Sequence, residues 1–309
     1  MNALKSGCGV FVWDGATIVS HRGPDALDLL HRLTTKDVLS LQPGHSRRTA
    51  LTSDRGRVVD VFLVANTLEL EDELILISDS PNSERLISAI DYYTIIEDAK
   101  LENMSHWSTR ISLVGPRAIE IANSVFGITV ELDSVTTVLR GSDLIIVVSD
   151  SSRGVEWVDV TFENEYCVQI TSELVDAGGV AIDTANFELF RIVNEIPGSD
   201  KEYGEHSNPI EAGLLDLVDW DKGCYVGQEV IARLDAYDKV QRNLRVLKSE
   251  VPLKEGVKLT SAGKPAGVIT SSSALDNEDG IYMGLALVRV AFVDSGTILN
   301  AGGTPAAVR

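Results

Sequence analysis

The chain has 309 residues and a mass of 33.4 kDa, with 44% hydrophobic and 24% charged residues; this is ordinary globular usage and excludes wholesale disorder. Its 46 acidic against 27 basic residues give a formal net charge of −19, which repels phosphate backbones and anionic membranes, so neither direct nucleic-acid nor membrane partners are expected. No apolar run approaches the ~20 residues that cross a bilayer, no secretory apolar region is visible near the start, and Cys8, Cys167 and Cys224 have no C-x-x-C spacing. The expectation is a cytoplasmic protein without a zinc ribbon or disulfide framework, built from more than one domain at roughly 100–200 residues each.

In chain order, residues 10–14 and 16–20 read as strands. Ala26, Leu29, Leu30 and Leu33 have helical spacing, with Asp25 and Asp28 at the positive end of the helix dipole. Residues 57–66 alternate and are β-branched, a strand, followed by a strand over 73–78 and a helix over 82–93. A strand over 111–114 runs into Gly115-Pro116 and then a helix carrying Ala118, Ile119, Ile121 and Ala122. Residues 144–148, 157–161 and 166–170 read as strands; 172–177 and 185–194 read as helices. After Gln241 the texture changes to short strands at 244–247, 258–260, 266–271, 283–288 and 306–308, separated by Gly, Pro, Asn and Asp. That pattern indicates a small β-barrel. The expected fold class is α+β, with a two-lobed body over 1–243 and a barrel over 244–309.

One segment stands apart: Asp221-Lys-Gly-Cys-Tyr-Val-Gly-Gln-Glu229, leading into a helix from Gln228. Gly223 and Gly227 imply a tight loop. Cys224 just before a helix N-terminus, with Lys222 two residues away, is placed to favour its thiolate. A buried, inert thiol is the competing reading. The five histidines are scattered without metal-ligand spacing, so no metal site is expected.

Lys222 to Glu229 matches the K-G-C-[YF]-x-G-Q-E signature, and the chain resembles the YgfZ family, folate-binding proteins related to the T-protein (aminomethyltransferase) of the glycine cleavage system. The resemblance extends through Gly23-Pro-Asp-Ala26, Leu33-Thr-Thr-Lys-Asp37, Leu41-Gln-Pro-Gly44, residues 51–60, Val114-Gly115-Pro116, and the lead-in over 191–197 and 209–214. It implies a multi-lobed, ring-like body with a C-terminal barrel and tetrahydrofolate in a central opening. It also implies support for iron–sulfur cluster assembly or repair, including in tRNA-modifying enzymes, so iron–sulfur enzymes or assembly factors are the implied partners. The family's functional residues fall on Cys224 and Lys222.

The chain departs from the transferase. Where the T-protein carries its catalytic aspartate, this sequence has Val61, which exchanges no proton, so a conventional aminomethyltransferase is not expected. Asp60 is retained, but adjacent strand residues point to opposite faces, so it cannot simply stand in. The transferase's pterin-binding carboxylate aligns with Glu156 or Asp159, the latter slightly favoured by position; two solvated acids on an edge strand are the alternative. Asp37 either lines the ligand opening or caps a turn. Trp220 either packs in the core or walls the site, next to Tyr225 and Gln228 of the signature.

Between His45 and Arg57 lie Arg47, Arg48, Arg55 and Arg57 against Asp54 alone. This basic lip suits the anionic glutamate tail of a folate, with a solvated hairpin as the other reading. Two further functions stay open: a folate-dependent aminomethyltransferase or one-carbon demethylase, and a scaffold that kept the fold but lost the ligand.

Overall fold

A computed structural model of the chain describes residues 2–67, 73–141, 143–237, 239–277 and 279–309. Two sheets build the body. The first is antiparallel throughout, in the order His45–Thr52, Val58–Asn66, Glu73–Ser78, Thr17–Arg22, Lys100–Asn103. Helices Ala26–Leu33 and Ser83–Asp91 cover one of its faces, and Leu29, Leu30, Leu33, Leu86 and Ile90 join Phe62, Val64 and Leu76 in that core. The second sheet has six strands, Val180–Ala181, Gly9–Val12, Ser108–Val114, Trp157–Glu163, Asp143–Ser149 and Val135–Arg140, under helices Ala118–Phe126 and Cys167–Asp176.

The uncovered faces of the two sheets meet. Ile18, Leu63, Ala65, Ile75 and Ile77 of the first pack on Val135, Ile146 and Val148 of the second. Period-2 alternation makes this possible, since each central strand is apolar on both faces. The third unit is a closed barrel of six strands, beginning with Arg242–Ser249 and ending with Thr304–Val308. It docks on helix Thr184–Val193, whose Leu189 and Ile192 pack with Leu244, Val246, Met283 and Leu285. Arg191 of that helix is buried, reaches Glu202 at 2.9 Å, and donates to Ser271 of the barrel, which itself donates to Glu202 at 2.6 Å. Among the described residues no helix is long and apolar enough to cross a membrane.

Two readings of secondary structure are corrected. Residues 166–170, expected as a strand, lie in a tight turn and the start of helix Cys167–Asp176, because Ile170 and Leu174 are four apart and bury together. The basic stretch from His45 contains a full strand, His45–Thr52, paired along its length with Val58–Asn66.

Candidate functional site

The signature loop is stitched to the C-terminal end of helix Ala26–Leu33. Lys222 Nζ donates to the carbonyls of His31 (2.6 Å), Thr34 (2.6 Å) and Lys36 (2.8 Å). Carbonyls at a helix C-terminus have no partner within the helix, and a cation there also complements the dipole. All three ammonium protons are thus taken by carbonyls. Among the described residues Lys222 makes no hydrogen bond to the Cys224 thiol. Burial pulls the lysine down to about 8, against the opposing charges of Asp37 and Asp219.

Around this stitch, Lys36 Nζ pairs with Asp219 at 2.7 Å, the Asp37 amide donates to the other oxygen of Asp219 at 2.8 Å, and the Val226 amide donates to the Arg32 carbonyl at 3.1 Å. Burial pushes the Asp37 carboxyl up, but hydrogen bonds from Ser40 and the charges of His31 and Arg47 more than offset this and hold it below its ordinary value. Tyr225 is buried under Lys222, the ammonium 5.2 Å from its ring centroid, and burial pushes its phenol up to about 12. Gly227 has φ +85°, and a Cβ there would meet the Ser53 carbonyl at 2.4 Å, so only glycine lets the loop press on the Ser53–Gly56 turn. Gln228 opens helix Gln228–Ala236. Cys224 is exposed at the tip of this pinned loop.

Between the two sheets lies a buried ionic network. Asp79 accepts from Arg110 (2.9 Å), from both terminal nitrogens of Arg153 (2.8 and 2.9 Å) and from Arg48 (3.3 Å). Burial would push the Asp79 carboxyl up, but Arg153, Arg110 and Arg48 together hold it well below the carboxylate range. The Arg153 guanidinium stacks 3.9 Å from the Trp157 ring centroid and Arg110 4.4 Å from that of Trp13. A narrow cleft of about 130 Å³ beside the network is walled by Trp13, Trp157 and Phe187.

This network removes Asp159 as an open acceptor. It is 1% exposed, and its oxygens accept from Arg110 Nε (2.9 Å) and Nη2 (2.8 Å), Trp157 Nε1 (3.0 Å) and Ser112. Glu156 is exposed and lines two surface pockets, one beside Pro116 and Phe190 and one beside Asp150, Ser151 and Gly154. Asp60 faces the helix-covered side with Phe62 and Val64, bonded to Ser78 and the Val61 amide, both at 2.8 Å. Burial pushes its carboxyl up to about 7, and its second oxygen has no partner. Val61 turns the other way and is sealed among Ala50, Tyr203, Leu214 and Leu217. The Tyr203 hydroxyl there is buried without a partner.

A cavity of about 590 Å³ opens beside strand His45–Thr52 and is lined by Lys36, Gln42, Ser46, Arg47, Arg48 and Ser152 among others. None of the ten residues singled out from sequence (Asp37, Arg57, Asp60, Glu156, Asp159, Trp220, Lys222, Cys224, Tyr225, Gln228) lines it, nor do they line the aromatic cleft. Trp220 is 44% exposed and walls neither. Arg57 lies apart, 3.8 Å from Glu211. Lys36 is the link, lining the cavity while holding Asp219 and Lys222. Sequence reasoning missed Asp79, Arg110, Asp150 and Arg153; the available signal was a charged residue within or next to each of several apolar strands.

The fold and sequence have relatives. The crystal structure of glycine cleavage system aminomethyltransferase T from Bartonella henselae superposes with a TM-score of 0.84, at 17% identity over 99% of this chain and 86% of that one. An aminomethyltransferase of Bdellovibrio bacteriovorus is 25% identical over 311 residues, covering 96% of this chain and 84% of its own length. The chloroplastic protein At1g60990 of Arabidopsis thaliana is 24% identical over 292 residues; these cover 91% of this chain but 65% of that protein, under two thirds of its length. The GCVT N-terminal domain matches residues 1–222, well over half of the molecule, and the chain belongs to the GCVT family, with the glycine cleavage T-protein fold.

Proposed function

We propose that this protein is a tetrahydrofolate-binding accessory factor of the YgfZ type, supporting assembly or repair of iron–sulfur clusters, including those of tRNA-modifying enzymes. Aminomethyltransferases of this family use tetrahydrofolate. The residues present fit that cofactor. The 590 Å³ cavity lies within the range of small-molecule sites. Gln42, Ser46 and Arg48 would hold the ligand through hydrogen bonds. When bound, tetrahydrofolate supplies a carrier for one-carbon units.

The observation that carries the accessory role is Cys224, an exposed thiol on a loop fixed by Lys222 and Gly227, available to another molecule. One thiol is too few for a cluster, which typically takes about four ligands, so any cluster contact is shared with a client or a small thiol. A Cys224→Ala strain tests this. It should lose activity of cluster-dependent enzymes while the purified variant keeps its fold and folate affinity. Full complementation would remove the thiol from the function.

A second reading, aminomethyl transfer or one-carbon demethylation, is favoured by relatives of that name over 96% of the chain. Against it stands Val61, sealed in an apolar cluster. Formation of methylene-tetrahydrofolate from a lipoyl carrier protein would decide for the transferase.

A further inference from the structure

The loop between helix Ser83–Asp91 and strand Lys100–Asn103 carries Tyr92, Ile95 and Ile96 at 77%, 84% and 91% exposure. Ile96 is the most exposed large apolar side chain among the described residues. Apolar residues scattered singly over a surface are ordinary, but three on one short loop form a patch. The loop is also fastened. The Glu97 carboxylate accepts from the amides of Ile95 and Ile96 at 2.9 and 3.0 Å and, through its other oxygen, from Arg32 at 2.9 Å. Arg32 and these amides pull that carboxyl down to about 2. Asp25 accepts from the Asp98 amide at 2.8 Å, and the Thr94 amide closes on the Asp91 carbonyl at 3.0 Å. Tyr93 turns inward onto the helix-covered core and leaves Tyr92, Ile95 and Ile96 outside. Ordering backbone costs about 1–2 kcal/mol per residue, and here it fixes apolar groups in water, where they contribute nothing to folding.

The patch shares an anchor with the thiol loop. Arg32, whose guanidinium holds Glu97, accepts the Val226 amide on its carbonyl at 3.1 Å, and Val226 and Tyr93 pack on the same core. Cys224, two residues before Val226, faces solvent. The border of the patch is acidic. Asp25, Asp28, Asp54, Asp91, Glu97 and Asp98 outnumber Arg32, Arg55 and Lys100, and Arg32 is already neutralised by Asp28 and Glu97 at 2.9 Å each. A second copy of this chain would set acid against acid there, and an anionic membrane is repelled in the same way. A basic protein surface is the complement.

We propose that Tyr92, Ile95 and Ile96 form a docking ridge for a client protein that offers an apolar hollow bordered by lysine and arginine and lies beside Cys224 when bound. The apolar side chains anchor the contact, and the acidic border steers and orients the basic partner. This rests on the accessory reading above, and it names the surface through which that role is exercised.

The test is complementation of a strain lacking this protein, read as the activity of a cluster-dependent tRNA-modifying enzyme. Two full-length chains are compared with the wild type, Ile95→Ser/Ile96→Ser and Asp91→Lys/Asp98→Lys. Each should lose about ten-fold in restored activity, the scale of one lost interface anchor. The purified variants should keep the wild-type urea midpoint and tetrahydrofolate affinity, which a merely structural role would move. Full restoration by the serine chain, a loss that tracks a lowered urea midpoint, or a wild-type dimer in sedimentation that the serine chain lacks would each overturn the ridge. Full restoration by the lysine chain would overturn the basic partner. Failure of the wild-type chain itself to restore activity would instead overturn the accessory reading.

Discussion

Lys222 Nζ donates to the Lys36 carbonyl at 2.8 Å while the Lys36 ammonium holds Asp219 at 2.7 Å, so two cations interlock the signature loop with the rim of the 590 Å³ cavity. Lys222 thus anchors the loop to the body through three backbone carbonyls. Lys222→Met should leave three carbonyls unpaired and lower stability by about 1–3 kcal/mol. Urea denaturation measures this, and an unchanged midpoint would mean that water replaces the ammonium at no cost.

The three thiols differ in access. Cys8 is fully buried, with its thiol pushed up to about 12 by burial, Cys167 is half-buried and Cys224 exposed. Labelling with an aromatic disulfide should show one fast phase in the native protein, abolished by Cys224→Ser. Because Lys36 joins the loop to the cavity, tetrahydrofolate should alter the rate of that phase; a rate indifferent to saturating ligand argues that loop and cavity are uncoupled.

Asp79 is shared by three buried guanidinium groups. Removing one partner of a buried ionic set leaves uncompensated charge, and Asp79→Ala should cost about 3–5 kcal/mol. A loss below about 1 kcal/mol in chemical denaturation would show that the arginines find other acceptors.

Two buried groups pull the pH profile in opposite directions. His21 lies in the strand Thr17–Arg22 with neither ring nitrogen bonded, and burial pulls it down to about 4. A depressed folded-state value means its contribution is complete above the unfolded value, near 6.5, and is lost as pH falls toward 4, a change on the order of 3 kcal/mol. Asp60 is raised to about 7, so its contribution is complete below the unfolded value and lost as pH rises through 7. His21→Phe should therefore flatten the acid side of the stability curve, and Asp60→Asn should raise stability at pH 8. Parallel curves for wild type and both variants would refute the pair.

The helical period was legible: Ala26, Leu29, Leu30 and Leu33 are the residues that helix buries. So was the change of texture before the barrel, because short strands with turn residues depend on local chemistry. Lys222 could be recognised as part of a motif, but its three partner carbonyls lie 186 to 191 residues earlier, which no local pattern encodes. Asp159 looked like an exposed acceptor for the same reason, since Arg110, which occupies it, is 49 positions away. Arg47 and Arg48 were visible as charge, but their shared cavity depends on their strand being at a sheet edge, a fact of topology.

The Ser271 hydroxyl, contributed by the barrel, bridges Arg191 and Glu202 of the body. Cutting the chain after residue 243 would therefore strip a guanidinium and a carboxylate of a shared partner and bare the apolar surface of Leu189 and Ile192. A body truncated there should aggregate or melt early rather than persist as a free-standing module.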